Sequence, residues 1–538
     1  MNEIELLILL AGVAAVLVRL ADLIGIPYPI VLVLAGLGIG FLPGGPTVHL
    51  EPEIIFLVFL PPLLQAAGYY ASPQDLRAQL APLTWLVLGL VLATMIAVAA
   101  VAQAVIPGIS WPEGLLLGAI VAPTDPVAAI ATFERVGITE RVRLLIEGES
   151  MINDATGLVA YRVMLAAVVS GTFSAGEAVV DLIVAVAGGI GIGLAVAWVA
   201  LQVLRRLDDI PLTIFTSVLM AYVSFALAEE IEASGVLAAV TAGLYLGWHA
   251  NEVFSAEMRL SGEAFWEALV FALNVVLFIL LGLQAPDVLE RVGDQYSAGE
   301  LAGYGLLVAA VVIAVRLIWQ VLPELLEKLF PPAGALATGE DWRERLLIGW
   351  SGMRGALSLA AALALPLTLD SGEPFVERDL ILFLTVAVIL VTLVGQGLTL
   401  PPLIKALGLS TTKAWAPDEA VVRLALAQAA LDRIDQLEVE RPELPDEAID
   451  RMRQIYQARF ARCLAQMSGE EGGSRLDDPA GALRKLRREL IELERGELVR
   501  ARNEGRIKPD VQRRIQRELD LEEARLSDSE PATRPRSG

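Results

Sequence analysis

The sequence predicts an all-α membrane protein with about thirteen transmembrane helices, followed by a soluble helical tail. Of the 538 residues, 55% are hydrophobic and the mean hydropathy is +0.60. Stretches such as 82–106 and 178–204 carry almost no charge, and each can cross a hydrocarbon core of about 30 Å at about 1.5 Å per helical residue. A backbone without water must satisfy its own hydrogen bonds, so these stretches are predicted to be helices.

Thirteen segments are long and apolar enough to span the membrane, and their alternation predicts an orientation. With the N-terminus outside, most Arg and Lys residues fall in the inner loops, and the outer loops receive only Arg291 and Arg378. This bias predicts a multi-pass protein of the cell (inner) membrane whose C-terminal tail lies in the cytoplasm. In chain order the predicted spans lie near residues 4–24, 29–43, 53–70, 82–106, 113–134, 143–170, 178–204, 211–228, 234–248, 265–285, 299–322, 345–367 and 379–404.

Charge rises sharply after Leu409, which divides the chain into two predicted domains. Residues 1–410 form the transmembrane domain. Residues 415–538 carry apolar residues at helical spacing among many charges, which is typical of a soluble helical tail; its end, 527–538, is predicted to be disordered. The formal net charge of −22 argues against a nucleic-acid partner, since phosphates require a basic surface.

The fifth span contains a Thr-Asp pair between two prolines, Pro123-Thr124-Asp125-Pro126. Proline removes a backbone donor and clashes with the preceding turn, so the helix is expected to break here. The unwound turn frees carbonyl oxygens, and Thr124 and Asp125 add side-chain oxygens, which are the ligands that a hard cation such as Na⁺ takes. The alternative is a structural kink in which Asp125 caps a helix.

The sixth span carries two polar pairs at helical spacing. Ser150 and Asp154 lie four residues apart and share one face, and Glu149 and Asn153 share the adjacent face. Charges are costly within a bilayer, so such a cluster is read as part of a functional site. The alternative is a polar seam that holds helices together.

The twelfth span contains Arg354 between Gly352 and Gly355. A guanidinium stays charged at any accessible pH, so a buried Arg354 needs an acidic partner, for which Glu149 is the candidate. The alternative is an arginine that reaches the lipid headgroups. Arg162 and Arg316 also lie within spans, and the sequence assigns neither a role.

Together these three motifs resemble those of the NhaP-type sodium/proton antiporters, a branch of the monovalent cation/proton antiporters that includes the animal sodium/hydrogen exchangers. The run Phe59–Leu64 is also similar to that family, and the resemblance covers roughly residues 5–410. It implies a homodimer in which each protomer has a dimerisation subdomain and a core subdomain, with inverted repeats and two discontinuous, crossing helices. Many relatives place an acid shortly after Leu-Pro-Pro in the third span, where this chain has Gln65 and no acid.

The resemblance also implies roles for the motif residues. Asp154 would bind the cation and the proton in turn, and Ser150 and Thr124 would contribute oxygen ligands to Na⁺. Asp125 would sit at the helix crossing, and Asn153 is the amide beside the binding carboxylate.

The expected function is exchange of a monovalent cation, Na⁺ or Li⁺, for protons across the membrane. No cofactor and no catalytic residue are expected, and the protein is not predicted to be an enzyme. The Asn153-Asp154 form of the motif is associated in the family with electroneutral exchange, and the resemblance makes Glu149 and Arg354 a structural ion pair. Sequence leaves K⁺/H⁺ exchange open, since selectivity depends on the size of the ion cage; a cation channel and an intramembrane aspartyl protease are more remote alternatives.

Overall fold

The computed structural model of the protein describes residues 3–42, 55–71, 88–171, 175–293, 295–329, 341–410, 417–441, 445–467 and short pieces between 487 and 519. Two compact units are present, Met1–Ser410 and Thr411–Gly538. The first unit is entirely helical apart from a single bridge between Thr368 and Pro374 in the described residues.

The first unit is an all-α membrane protein, as the sequence predicts, and each of the thirteen predicted spans contains helix. Within the described residues, six helices are long and apolar enough to cross a membrane, and three further apolar helices are shorter. The helices are α1 (Glu3–Ile24), α2 (Tyr28–Gly40), α3 (Leu60–Tyr70), α4 (Leu90–Val105), α5 (Trp111–Val121), α6 (Val127–Val136), α7 (Glu140–Ser170), α8 (Ala175–Leu204), α9 (Ile210–Glu230), α10 (Gly235–Val253), α11 (Ala256–Gly293), α12 (Ala298–Leu329), α13 (Trp342–Trp350), α14 (Ala356–Leu363), α15 (Arg378–Leu390) and α16 (Gly397–Leu407).

Two predicted spans are each split into two helices. The fifth span is interrupted between α5 and α6, and the twelfth between α13 and α14. The thirteenth span is not interrupted, because a π-helical segment at Val391–Gln396 joins α15 to α16. Likewise, α11 is a continuous helix of 38 residues and extends well beyond the predicted span at both ends.

Helix packing forms two groups within the unit. One contains α2 with α11 and α3 with α10, where the backbones approach so closely that a side chain at Gly243 would overlap the Gln65 carbonyl. The other contains α4, α5, α7, α12, α13 and α15. Small residues at such contacts allow close packing where the lipid is as apolar as the side chains. The broken spans belong to the second group and face the first.

The second unit begins with two packed helices, α17 (Pro417–Glu440) and α18 (Asp446–Met467). Arg453 on α18 forms ion pairs with Asp435 and Glu438 on α17, at 3.1 and 2.5 Å. The end predicted to be disordered, 527–538, lies outside the described residues.

Candidate functional site

The two broken spans cross at their unwound segments. The backbone amide of Asp125 donates to the carbonyl of Met353 at 2.8 Å, which joins the two breaks directly. Gly355 permits this approach, because a β-carbon there would overlap the Asp125 carboxylate. The prolines break the fifth span, and the glycine allows the twelfth span to approach it, so both sequence features contribute to the same helix crossing.

Asp125 caps one helix at this crossing. Its Oδ1 accepts a hydrogen bond from the amide of Val127 at 2.9 Å. This amide begins α6, whose N-terminal end carries partial positive charge. The capping geometry that was an alternative for Asp125 is therefore present, and Asp125 also lines a cavity.

The polar residues of α7 meet the first break. The hydroxyls of Thr124 and Ser150 lie 3.1 Å apart, and both side chains are buried. The Asn153 amide nitrogen donates to Glu149 Oε1 at 3.1 Å and approaches Thr124 Oγ1 at 3.5 Å. The structure thus brings together the polar residues predicted from the fifth and sixth spans.

Asp154 differs from its neighbours in having no fixed partner. Its side chain is half-buried and lines a cavity of about 720 Å³ together with Thr124, Asp125 and Ser150. Within the described residues its carboxylate makes no hydrogen bond and no ion pair. A carboxylate in this position can bind a proton or a cation from the cavity without first breaking a protein contact.

The predicted pairing of Glu149 with Arg354 is wrong. Glu149 pairs with Arg316, whose Nη1 and Nη2 donate to Oε1 and Oε2 at 2.5 and 2.9 Å. Arg354 instead donates through Nε to the carbonyl of Val121 at 2.9 Å, and it also contacts the Gly352 carbonyl. Val121 ends α5, where free carbonyls and the helix dipole attract a cation. Backbone carbonyls therefore satisfy an arginine for which sequence reasoning sought an acid.

Arg316 is a structural residue to which the sequence assigned no role. It lies in the middle of α12, is 1% exposed, and also donates to the Ile348 carbonyl at 3.3 Å. Arg162, the other unassigned arginine, pairs with Glu229 and donates to the Ala233 carbonyl at 3.0 Å. For both arginines, a charge within an apolar span was the feature that could have indicated a role. Residue spacing could not identify their partners, because those partners lie far away in the sequence.

Two walls of different character enclose the cavity. One wall carries the broken span and α7, with the carboxylates of Asp125 and Asp154. The other comes from α3 and α11 and includes Glu263, Glu267 and Asn274. Gln65, which stands where many relatives have an acid, is buried away from this cavity and donates to the Ser217 carbonyl at 2.7 Å.

Crossed, broken helices with a carboxylate facing a cavity define the class of secondary transporters that bind ions near the membrane midplane. The family profile described as "Sodium/hydrogen exchanger, transmembrane" matches residues 8–406. The chain therefore belongs to the sodium/hydrogen exchanger family, and it is a transporter rather than an enzyme.

Similar proteins agree with this assignment. An uncharacterised Na⁺/H⁺ exchanger of Mycobacterium tuberculosis is 32% identical over 532 residues, which cover 97% of this chain and 96% of the relative. A Na⁺/H⁺ antiporter of Aphanothece halophytica is 33% identical over 76% of this chain and 74% of its own length. A sodium, potassium, lithium and rubidium/H⁺ antiporter of Bacillus subtilis is 34% identical over 70% of this chain and 57% of its own length.

The fold also matches a solved structure. A sodium proton antiporter of Methanocaldococcus jannaschii, determined at pH 8, superposes with a TM-score of 0.60 and 24% identity, covering 75% of this chain and 98% of that chain. The fold predicted from the resemblance, an all-α antiporter, is confirmed.

Proposed function

We propose that this protein exchanges Na⁺ or Li⁺ for protons, with Asp154 as the carboxylate that binds the two in turn. The observation that carries the proposal is the position of Asp154, which faces the cavity without a protein partner while Thr124 and Ser150 place hydroxyl oxygens in the same lining. Two neighbouring side chains are held in place beside these oxygens: the Asn153 amide donates to Glu149, and the Asp125 carboxylate caps α6.

Competition for one carboxylate is sufficient for exchange. A cation held by the site oxygens offsets the cost of ionising Asp154 in an apolar surrounding, whereas a proton neutralises it directly. Exchange follows if the protein changes its accessible side only when the site is occupied. One carboxylate then carries one charge in each direction, so the exchange is electroneutral.

The site suits an oxygen-ligated monovalent cation, and K⁺ is the second candidate. The Bacillus subtilis relative is named for sodium, potassium, lithium and rubidium, so K⁺/H⁺ exchange at the same carboxylate is the alternative that the comparisons favour. The protein's partners are then the cation, the proton and the surrounding lipid.

The orientation and assembly of the protein are part of the same proposal. With the N-terminus outside a cell membrane, the cavity faces the cytoplasm, because Arg143 from a predicted inner loop lines it. Residues 1–410 would dimerise and transport, and the tail after 415 would lie in the cytoplasm. One group of helices would act as the dimerising scaffold, and the group with the broken spans would move against it.

Everted membrane vesicles test the proposal. We expect wild-type vesicles to show a cation-dependent pH change that Asp154→Asn abolishes, since an amide cannot release a proton. Asp287→Asn, which makes the same chemical change on α11 outside the cavity lining, serves as the matched control and should retain exchange. Cation-driven pH change in the Asp154 variant would refute the assignment.

A further inference from the structure

One face of α11 contributes three polar side chains to the cavity. Glu263, Glu267 and Asn274 all line it, at spacings of four and seven residues that return to the same side of a helix. At about 1.5 Å per residue, Asn274 lies about 10 Å further along this face than Glu267. Between them the face is apolar, with Val270 and Phe271.

Asn274 is unusual among these residues because it is buried. It is 5% exposed, yet within the part of the chain that the structure describes its amide has no hydrogen-bonding partner. Neither atom of this amide is fully enclosed by the protein, so both open onto the cavity, where a polar guest can reach them.

A second polar group in the same lining is also unpaired. Ser358, in the first turn of α14, lines the cavity, and its Oγ is buried without a partner in the described residues. Helices α11 and α14 pack against each other, so the two groups belong to facing elements. The Ser358 oxygen is itself enclosed, so the Asn274 amide and the Asp154 carboxylate are the groups that face the cavity without a partner in the described residues, which suits a polar guest.

We propose that Asn274 is a specificity-determining residue, whose amide oxygen contacts the cation opposite Asp154 and replaces part of its water shell. This inference rests on the proposed function. An amide supplies a neutral oxygen ligand, so it selects among ions by distance and geometry while adding no charge to the site. The exchange therefore remains electroneutral, and the cation contacts both walls of the cavity when they close.

Purified protein in proteoliposomes tests the role of Asn274. The half-saturating concentrations of Na⁺, Li⁺ and K⁺ are measured for wild type, Asn274→Leu and Asn274→Gln. We expect Asn274→Leu to raise the half-saturating concentration by about tenfold, by a factor that differs among the three ions, while the maximal rate per folded protein is retained. Asn274→Gln keeps the oxygen but moves it, so it should restore binding in part and change the order of preference.

The control makes the same change elsewhere on the helix. Gln284 is a buried amide on α11 outside the cavity lining, and Gln284→Leu should leave all three half-saturating concentrations unchanged. Unchanged values in Asn274→Leu, or a loss confined to the maximal rate, would overturn the inference. If Asn274→Leu does not fold, an unchanged ion preference in Asn274→Gln overturns it instead. Absence of exchange in the wild type would refute the proposed function itself, which separates the two failures.

Discussion

The buried ion pair between Glu149 and Arg316 leads to a quantitative prediction about stability. Both residues are 1% exposed, and two hydrogen bonds of 2.5 and 2.9 Å join them. Replacing either residue alone leaves an uncompensated buried charge, which costs about 3–5 kcal/mol. We expect the cost of Glu149→Gln to lie at the upper end of this range, because the remaining Arg316 guanidinium stays charged. The cost of Arg316→Met should lie at the lower end, because the remaining Glu149 carboxylate can bind a proton.

The double variant separates the pair from its surroundings. Glu149→Gln with Arg316→Met removes both charges, so the protein should be more stable than either single variant. The free energy of unfolding is measured by reversible SDS unfolding in lipid bicelles, followed by tryptophan fluorescence.

A partly exposed pair on the same helix provides the control. Arg143 pairs with Glu147 at 2.8 Å, with side chains 39% and 30% exposed. Arg143→Met should cost about 1 kcal/mol or less, since solvent screens such pairs. If Glu149→Gln costs no more than this control, the structural role of the buried pair is refuted.

Two further predictions concern the helix crossing and the region before α15. Gly355→Ala should reduce the exchange rate at least tenfold, because the added carbon overlaps the Asp125 carboxylate. Gly303→Ala, on an open helix face, is the control and should not reduce it. A normal exchange rate in Gly355→Ala would contradict the helix crossing. Burial, and then the neighbouring Glu113, raise the pKa of Glu377. The contribution of Glu377 to stability is therefore present in acid and is lost as the pH rises through its folded-state pKa. The melting temperature of Glu377→Gln, relative to that of the wild type, should therefore increase as the pH rises. A difference in melting temperature that does not change with pH would contradict this.

The sequence predicted the helices and the breaks because their signals are local. Proline residues flanking Asp125 break a helix wherever they occur, and a spacing of four residues places Ser150 beside Asp154 on any helix. The partner of Glu149 could not be predicted in the same way. Three arginines lie within spans, and Arg316 is separated from Glu149 by 167 positions, so only the packing of α12 against the core identifies it.

The wall opposite the carboxylates was missed for a different reason. Asn274 is a neutral amide in an apolar span, and such a residue is a much weaker signal than a charge, because it can be a simple interhelical contact. Its significance depends on burial and on the absence of a partner in the described residues, which are properties of the folded chain. A sequence gives polarity and spacing but not which groups remain unpaired.

The distribution of fixed partners among the buried charges supports the proposal that one carboxylate, Asp154, serves the exchange. Arg316 neutralises Glu149, the Val121 carbonyl at the end of α5 accepts a hydrogen bond from Arg354, and the first turn of α6 holds Asp125. Each of these charges already has a partner within the first unit, so none of the three depends on the content of the cavity for compensation. Asp154 alone among them has no such partner in the described residues, and its charge must therefore be neutralised by whatever the cavity supplies. In the proposed exchange, the cation and the proton are the two species that do so in turn.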